Sequence, residues 1–237
     1  VPVISPWIDM DTGDAAKIAD GLEAQQGRRV IKTHTPADGF PVREGVHVVA
    51  VYRHPLDVYL SLRQHGMNMK ARPDHPMRRS MEESFPDYLN AVFQPDAVDE
   101  DTLALLVAHY RHTVALRRLP QLTVLHYADM IADHAGAVAH LAQALDIPAS
   151  EAALTRVVEA TAFGAMKAKA SDYVPLADTG FWDADAAFFD RGGTGKWQGQ
   201  FSAAQLAAYD ARMAECVPEE ALRHWLEAGG PFVHAAC

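Results

Sequence analysis

The sequence predicts a single α/β domain in which helices flank a central parallel β-sheet. Its 237 residues, 49% of them apolar, suit one domain with a sizeable core. Apolar runs at residues 29–32 (RVIK) and 46–52 (VHVVAVY) predict buried strands, and a weaker one lies at residues 122–127. The second run is apolar on both faces, which is typical of a parallel sheet covered by helices. Because helical patterns alternate with these runs, right-handed crossovers are expected.

The helices are predicted at residues 55–65, 101–118, 132–145, 150–160, 203–214 and 218–226. The first has Pro55 at its first position and Asp57 in its first turn, and both are favourable there. Residues 71–86 and 171–185 are rich in residues that disfavour regular structure. Long irregular segments of this kind form either lids and binding loops or plain solvent-exposed loops, and both readings remain open.

Composition excludes several classes of function. The net charge of −10 makes general binding to nucleic acids or anionic membranes unfavourable. The two cysteines, Cys216 and Cys237, have no metal-site or disulfide spacing, which suits a reducing cytoplasm. No apolar run is long enough to span a membrane, and no signal peptide is visible. We therefore expect a cytoplasmic protein whose anion site is a local cluster of basic groups and backbone donors.

The first candidate site is the segment IKTHTP at residues 31–36. Lys32 and His34 are two positions apart, so both side chains point to one side if the strand continues. A lysine and a histidine at the end of a strand suit an anion site with a proton acceptor nearby. The alternative is that His34 is an ordinary surface residue.

The second candidate is the segment VYRHPLDVYLS at residues 51–61. Arg53 lies where a strand stops and a helix begins, and free N–H groups at helix N-termini attract phosphates. Its guanidinium could add two parallel hydrogen bonds, and Ser61, eight residues later, could add a hydroxyl. The alternative is that Arg53 pairs with Asp57 while Ser61 packs on the helix.

The third candidate is the segment FFDRGGTGKW at residues 188–197. Its glycines allow the backbone to approach a ligand closely, and Arg191 beside Gly192 suits an anion cradle of amides and a guanidinium. The segment matches neither the dinucleotide fingerprint nor the phosphate-binding P-loop pattern. An ordinary glycine-rich turn is the alternative.

Taken together, these segments resemble the cytosolic-type sulfotransferases that use 3′-phosphoadenosine 5′-phosphosulfate (PAPS), and the chain resembles a bacterial member. The resemblance follows the family's order of motifs over almost the whole chain. The matching positions are SPWID at residues 5–9, Lys32-Thr33-His34, Arg53 with Ser61, Tyr127 in HYADM, Thr161, Phe163, Met166 and Lys167 in TAFGAMK, residues 190–197, and YDARMAE at residues 209–215.

The resemblance implies a P-loop-NTPase-like sulfotransferase fold that transfers the sulfuryl group of PAPS to an acceptor hydroxyl. It implies His34 as general base and Lys32 as the residue that stabilises developing charge. The 3′-phosphate would bind Arg53, Ser61, Arg191 and Gly192, and the adenine pocket would contain Tyr127, Thr161 and Phe163. The co-substrate would be PAPS, with no metal.

The acceptor is expected to be a small hydrophobic molecule. Its pocket would draw on Trp7, Phe40 and residues 67–86 and 173–182. Met67, Met69, Met77 and Met81 suggest an adaptable apolar surface, with core filling as the alternative. We expect no nucleic-acid or membrane partner.

Four departures from the family pattern stand out. Asp190 replaces a basic residue, and Lys196 stands where an acidic residue is common. The family's 5′-phosphosulfate loop is not in the sequence, although residues 1–237 otherwise form one sulfotransferase domain, and we expect the native protein to carry that loop before Val1. The alternative is an inactive or scaffold member that binds nucleotide. In the family's dimer motif only Phe201 survives, so we expect a monomer or a dimer formed through another interface.

Overall fold

The computed structural model describes residues 14–36, 39–41, 43–94, 100–116 and 121–232. In chain order the elements are α1 (Ala15–Ala24), β1 (Val48–Tyr52), α2 (Pro55–Asn68), α3 (Met81–Asn90), α4 (Leu103–Ala115), β2 (Leu122–His126), α5 (Tyr127–Ala132), α6 (His134–Ala144), α7 (Glu151–Thr161), α8 (Phe163–Ala168), α9 (Ala170–Tyr173), α10 (Ala203–Cys216) and α11 (Glu220–Ala228). Short 3₁₀ helices occupy Pro76–Arg78 and Asp185–Phe188.

Strands β1 and β2 pair in parallel and form the sheet of the described chain. Val48 lies opposite Leu122, and the register continues to Tyr52 opposite His126. Both strands therefore end at the same edge, and the residues that follow them lie side by side. That edge is where ligands bind in open α/β sheets.

The main core packs helices against one face of this sheet. Tyr52 of β1 is buried and makes edge contacts with Tyr110 of α4 and Trp225 of α11. A second group of rings joins α2 to α3 through Tyr59, Phe85 and Tyr88. The burial of these large side chains supplies the main stabilising contribution to the fold.

The predicted α/β class is confirmed, but the prediction for β1 was wrong in one respect. Ala50 and Tyr52 are buried, whereas Val49 and Val51 on the opposite face are exposed in the described part of the chain. The rings of Tyr110 and Trp225, from α4 and α11, pack on the Tyr52 side. Among the described residues, β1 is therefore buried on one face only, although its sequence is apolar on both.

The predicted strand at residues 29–32 is also absent, and only Lys32 occupies a single bridge position. Val30 and Ile31 are exposed, so no described neighbour buries this short apolar run. The predicted helices are found with shifted ends, and the short helix α5, which was not predicted, precedes α6. Asp133 separates them and accepts a hydrogen bond from the Gly136 amide as the cap of α6.

Helix α3 lies where the sequence predicted irregular structure. Ser80 and Glu83 form a capping box at its start, and Pro86 lies inside the helix. Pro86 argued against a helix in this segment, although the spacing of Ser80 and Glu83 is a recognisable helix-start signal. Met77 and Met81 pack in the main core and Met67 is exposed, so the four methionines do not form one surface.

A second, smaller hydrophobic cluster forms around Trp182. It contains Ala170 and Val174 with partly buried Met69, Ala177, Phe181, Phe188 and Phe189. Asn68, at the end of α2, uses its side-chain oxygen and nitrogen to bond the backbone amide and carbonyl of Ala184 at 3.1 and 3.0 Å. This pairing attaches the segment after α9 to α2. Within the described ranges, no helix is long and apolar enough to cross a bilayer.

Candidate active site

The site is built where β1 passes into α2. Arg53 and His54 connect the strand to the helix, and Pro55 opens the helix. The Nδ1 atom of His54 accepts a hydrogen bond from the Leu56 amide at 3.1 Å and so caps α2. Burial lowers the pKa of His54 to about 4, against a smaller opposing effect from Asp57, so the ring is neutral and keeps its acceptor at neutral pH.

Arg53 is the central cation of this corner. Its Nη2 atom donates to the Gly193 carbonyl at 3.0 Å and lies 3.3 Å from the Asp57 carboxylate. Its guanidinium carbon lies 4.7 Å from the centre of the Tyr127 ring, which follows β2. Among the described residues, its Nε atom is buried without a hydrogen-bond partner. The pairing with Asp57 thus occurs, yet one donor of Arg53 is unused.

Asp57 fixes the glycine-rich loop, which we define as residues 190–197, against α2. Its carboxylate is fully buried and accepts hydrogen bonds from the Gly195 amide at 2.8 Å and the Trp197 amide at 3.1 Å. A buried carboxylate needs such donors to offset its desolvation. This part of Asp57 could not be predicted from the sequence, because its loop partners are 138 and 140 residues away.

The loop depends on glycine at positions where other residues would be strained. Gly192, Gly193 and Gly195 have φ angles of +62°, +78° and +72°. A Cβ atom on Gly192 would also lie 3.1 Å from the Phe163 ring. The loop therefore lies directly against an aromatic ring predicted for the adenine pocket.

Asp190 does not face the site as an isolated negative charge. Its carboxylate pairs with Lys196 Nζ at 2.8 Å, and its carbonyl accepts from Lys167 Nζ at 2.9 Å. Burial would raise the pKa of Asp190, but the hydrogen bond and charge of Lys196, aided by Arg191, lower it instead. Arg191 Nε is 3.6 Å from the same carboxylate, and its side chain is 82% exposed.

Lys32 and His34 lie in an exposed stretch before β1 rather than on a strand. Burial lowers the pKa of His65, and the charges of Lys196 and Lys32 lower it further, so Lys32 acts on the same ring as the loop. Burial also lowers the pKa of His109, and His34 adds to that effect. His34 is thus electrostatically coupled to α4, whereas Lys32 is coupled to the side of α2 that meets the loop.

Ser61 and Thr161 are the predicted site residues with the weakest link to this corner. Ser61 is half-buried on α2, two turns beyond Arg53. Thr161 is exposed at the end of α7, and its hydroxyl bonds the Val157 carbonyl at 2.7 Å and His134 Nε2 at 3.0 Å. The hydroxyl of Thr161 is therefore already engaged within the helical region.

His109 of α4 is a site neighbour that the sequence did not indicate, and it lies against the end of β1. Its Nδ1 atom lies 2.8 Å from the hydroxyl of Tyr52, which also donates to Thr113 at 2.7 Å. Only the chain fold brings α4 to the end of β1, so no spacing in the sequence signals this contact. SPWID and Trp7 lie outside the described residues, and Phe40 is half-buried.

The corner combines a helix N-terminus, a half-buried arginine and a glycine-rich loop at the carboxyl edge of a parallel sheet. These are the features of an α/β protein that binds a phosphorylated ligand. Among the described residues, no group of three or more His, Cys, Asp or Glu side chains could hold a metal ion.

The chain belongs to the sulfotransferase domain family, whose model matches residues 3–223. It is 32% identical to a glycolipid sulfotransferase of Mycobacterium bovis, over 95% of this chain and 77% of that protein. It is 23% identical to a 3-alpha-hydroxysteroid sulfotransferase of Cavia porcellus, over 87% and 67% of the two chains.

Solved structures share the fold. Mouse sulfotransferase SULT7A1 complexed with PAP superimposes with a TM-score of 0.70 at 17% identity, over 90% of this chain and 74% of that one. Retinol dehydratase in complex with androsterone and the inactive cofactor PAP gives 0.68 at 21% identity, over 85% and 57%. The predicted family and fold are confirmed.

Proposed function

We propose that this sulfotransferase moves the sulfuryl group of PAPS to a hydroxyl group of a small hydrophobic acceptor. The observation that carries the proposal is the unused Nε donor of Arg53, buried beside the glycine-rich loop at the start of α2. A buried donor without a partner is costly, and an anionic ligand would satisfy it.

The 3′-phosphate of the donor is assigned to Arg53, Ser61, Arg191 and the Gly192 amide. The start of α2 adds the partial positive charge of a helix N-terminus. Arg191 is exposed, so it can turn toward an entering phosphate without breaking a buried contact. The proposal is supported because both negative groups of the corner, Asp57 and Asp190, are already paired with donors.

The adenine is assigned to the aromatic side of the corner. Tyr127 lies under Arg53, and Phe163 lies against Gly192, so the two rings border the loop and the arginine. An aromatic face can stack on a purine base. Thr161 precedes Phe163 by two residues and is assigned to the same adenine site.

The chemical step is assigned to His34 and Lys32. His34 would accept the proton as the acceptor oxygen forms a bond to sulfur. The bond from sulfur to the bridging phosphate oxygen breaks, and 3′-phosphoadenosine 5′-phosphate (PAP) leaves with that electron pair. Lys32 would stabilise the charge that builds on the bridging oxygen. No covalent intermediate on the protein is required.

The acceptor is assigned to the apolar region around Trp182. His65 stacks on Phe188 with ring centres 4.5 Å apart, and Met69, Phe181 and Phe189 extend this surface. Such a surface favours an apolar molecule with one reactive hydroxyl. Because the similar mycobacterial protein is a glycolipid sulfotransferase, we place glycolipids first among candidate acceptors.

The test is to incubate the full chain with PAPS and a panel of glycolipids, sterols and phenols. The proposal predicts a sulfated product by mass spectrometry and an equal amount of released PAP. PAP binding without any sulfated product would support the alternative, a nucleotide-binding member without activity. Absence of both would contradict the proposed function.

A further inference from the structure

The ion pair between Asp190 and Lys196 joins the two ends of the glycine-rich loop. The Lys196 Nζ atom lies 2.8 Å from the carboxylate, with only 12% of the lysine side chain and 28% of the aspartate exposed. Most ion pairs at protein surfaces contribute little because solvent screens them. This pair is better shielded than the Arg79–Asp87 pair on α3, whose side chains are 46% and 60% exposed.

The loop that this pair closes is unusually free in conformation. Three of the five residues between Asp190 and Lys196 are glycines with positive φ, and such residues lose the most conformational entropy when they are ordered. Asp57 holds the far end of the loop at Gly195 and Trp197, and Arg53 holds the Gly193 carbonyl. Asp190 fixes the opposite end.

The near end of the loop carries the groups assigned to the phosphate, Arg191 and the Gly192 amide. It is held by Lys167 on the Asp190 carbonyl and by the contact of Gly192 with Phe163. Without the ion pair, the backbone on either side of Asp190 could rotate, and the Gly192 amide would lose its fixed direction. A prearranged loop loses less entropy on binding.

We propose that the Asp190–Lys196 ion pair is a positioning element that holds the glycine-rich loop ready for the 3′-phosphate. The inference rests on the proposed function, because that function supplies the phosphate. It reverses the simplest expectation from charge, in which Asp190 repels the ligand and Lys196 attracts it. The two residues act instead as one unit.

The test uses three variants: Asp190→Asn, Lys196→Met and the double variant. The single changes alter the net charge in opposite directions, and the double variant keeps it. We expect calorimetric titration to show that each single variant binds PAP about fivefold more weakly than the unaltered protein. The double variant should bind PAP no more weakly than the single variants do, because either change alone already removes the ion pair. Asp87→Asn removes the pair on α3 as a matched control and should leave PAP affinity unchanged.

Steady-state kinetics distinguish positioning of the donor phosphate from a purely structural role of the ion pair. Positioning for the donor phosphate predicts that KM for PAPS rises about fivefold while kcat stays within twofold. The exchanged variant, Asp190→Lys with Lys196→Asp, keeps both the pair and the net charge. It should recover most of the affinity that the single variants lose, and its melting temperature shows whether it is folded.

Several results would overturn the inference. Tighter PAP binding by Asp190→Asn with weaker binding by Lys196→Met would show that the two charges act separately. Unchanged binding in all three variants, or a fall in kcat without a change in KM, would also contradict it. Failure of the unaltered protein to bind PAP would overturn the proposed function as well, whereas normal binding with unaffected variants would overturn this inference alone.

Discussion

The corner at Arg53 and the segment containing Lys32 and His34 differ in how the molecule supports them. Arg53 is held by Asp57, Gly193 and the Tyr127 ring, and it lies between a strand and a capped helix. Lys32 and His34 lie in an exposed stretch outside the regular elements. The region proposed for the donor phosphate is therefore already ordered by its own contacts, while the segment proposed for proton transfer remains open to solvent.

This difference has a mechanistic meaning. An ordered phosphate region can bind the donor nucleotide with little rearrangement, because the entropy of ordering is already lost on folding. An exposed histidine retains access to an acceptor hydroxyl. We therefore expect donor binding and chemistry to respond to different substitutions.

The largest effect is expected for His34→Ala. Loss of a general base lowers turnover by at least about 100-fold, while PAP affinity stays within twofold. Steady-state kinetics and calorimetric titration measure the two quantities. A matched control is His140→Ala, an exposed histidine on α6. Wild-type turnover in His34→Ala would show that the base is a different group.

The next effect is expected for Arg53→Met. It removes the charged donor with the unused Nε, so PAP affinity should fall about 10- to 100-fold. Arg156→Met, at an exposed position on α7, should leave PAP affinity unchanged. Equal losses in both variants would mean that net charge, rather than the corner, attracts the nucleotide.

A smaller effect is expected for Gly192→Ala. The substitution meets both a positive φ and the Phe163 ring, so PAP affinity should fall about threefold to tenfold, with a stability loss of about 1 kcal/mol. Gly180→Ala meets a φ of +78° with no neighbour within 4 Å of the new Cβ. It should lower stability to a similar degree while PAP binding remains normal.

The smallest effect concerns pH and His54. Because its pKa falls from 6.5 to about 4 on folding, the unfolded chain takes up the proton first as pH decreases. The stabilisation by neutral His54 is therefore complete above pH 6.5 and is lost between pH 6.5 and 4.

His54→Asn keeps a capping side chain that does not titrate in this range. Between pH 7 and 5, the melting temperature of the unaltered protein should fall about 5 °C more than that of the variant. Calorimetry measures both. Parallel decreases would show that His54 does not carry this dependence.

Much of the corner could be predicted from the sequence because its signals are local. A strand followed by arginine and proline, and three glycines within four positions, predict a phosphate site before any coordinates are known. The glycine-rich loop proved to lie against Arg53, as the proposal requires. The capping role of His54 and the network of Asp57 were missed, because each depends on contacts that fold topology alone creates.

The errors have the same origin. Residues 29–32 have the composition of a strand, but strand formation depends on a neighbour that provides hydrogen bonds and burial. Helix α3 was missed because Pro86 outweighed the capping signal of Ser80 and Glu83. Asp190 and Lys196 were noted as departures from the family pattern, but their ion pair could not be positioned from spacing alone.

The most direct test of the whole account is a calorimetric comparison of PAP with adenosine 5′-phosphate, which lacks the 3′-phosphate. The account predicts that PAP binds at least about 30-fold more tightly, and that Arg53→Met removes most of this difference. Equal affinity for the two nucleotides in the unaltered protein would contradict the assignment of the corner to the 3′-phosphate.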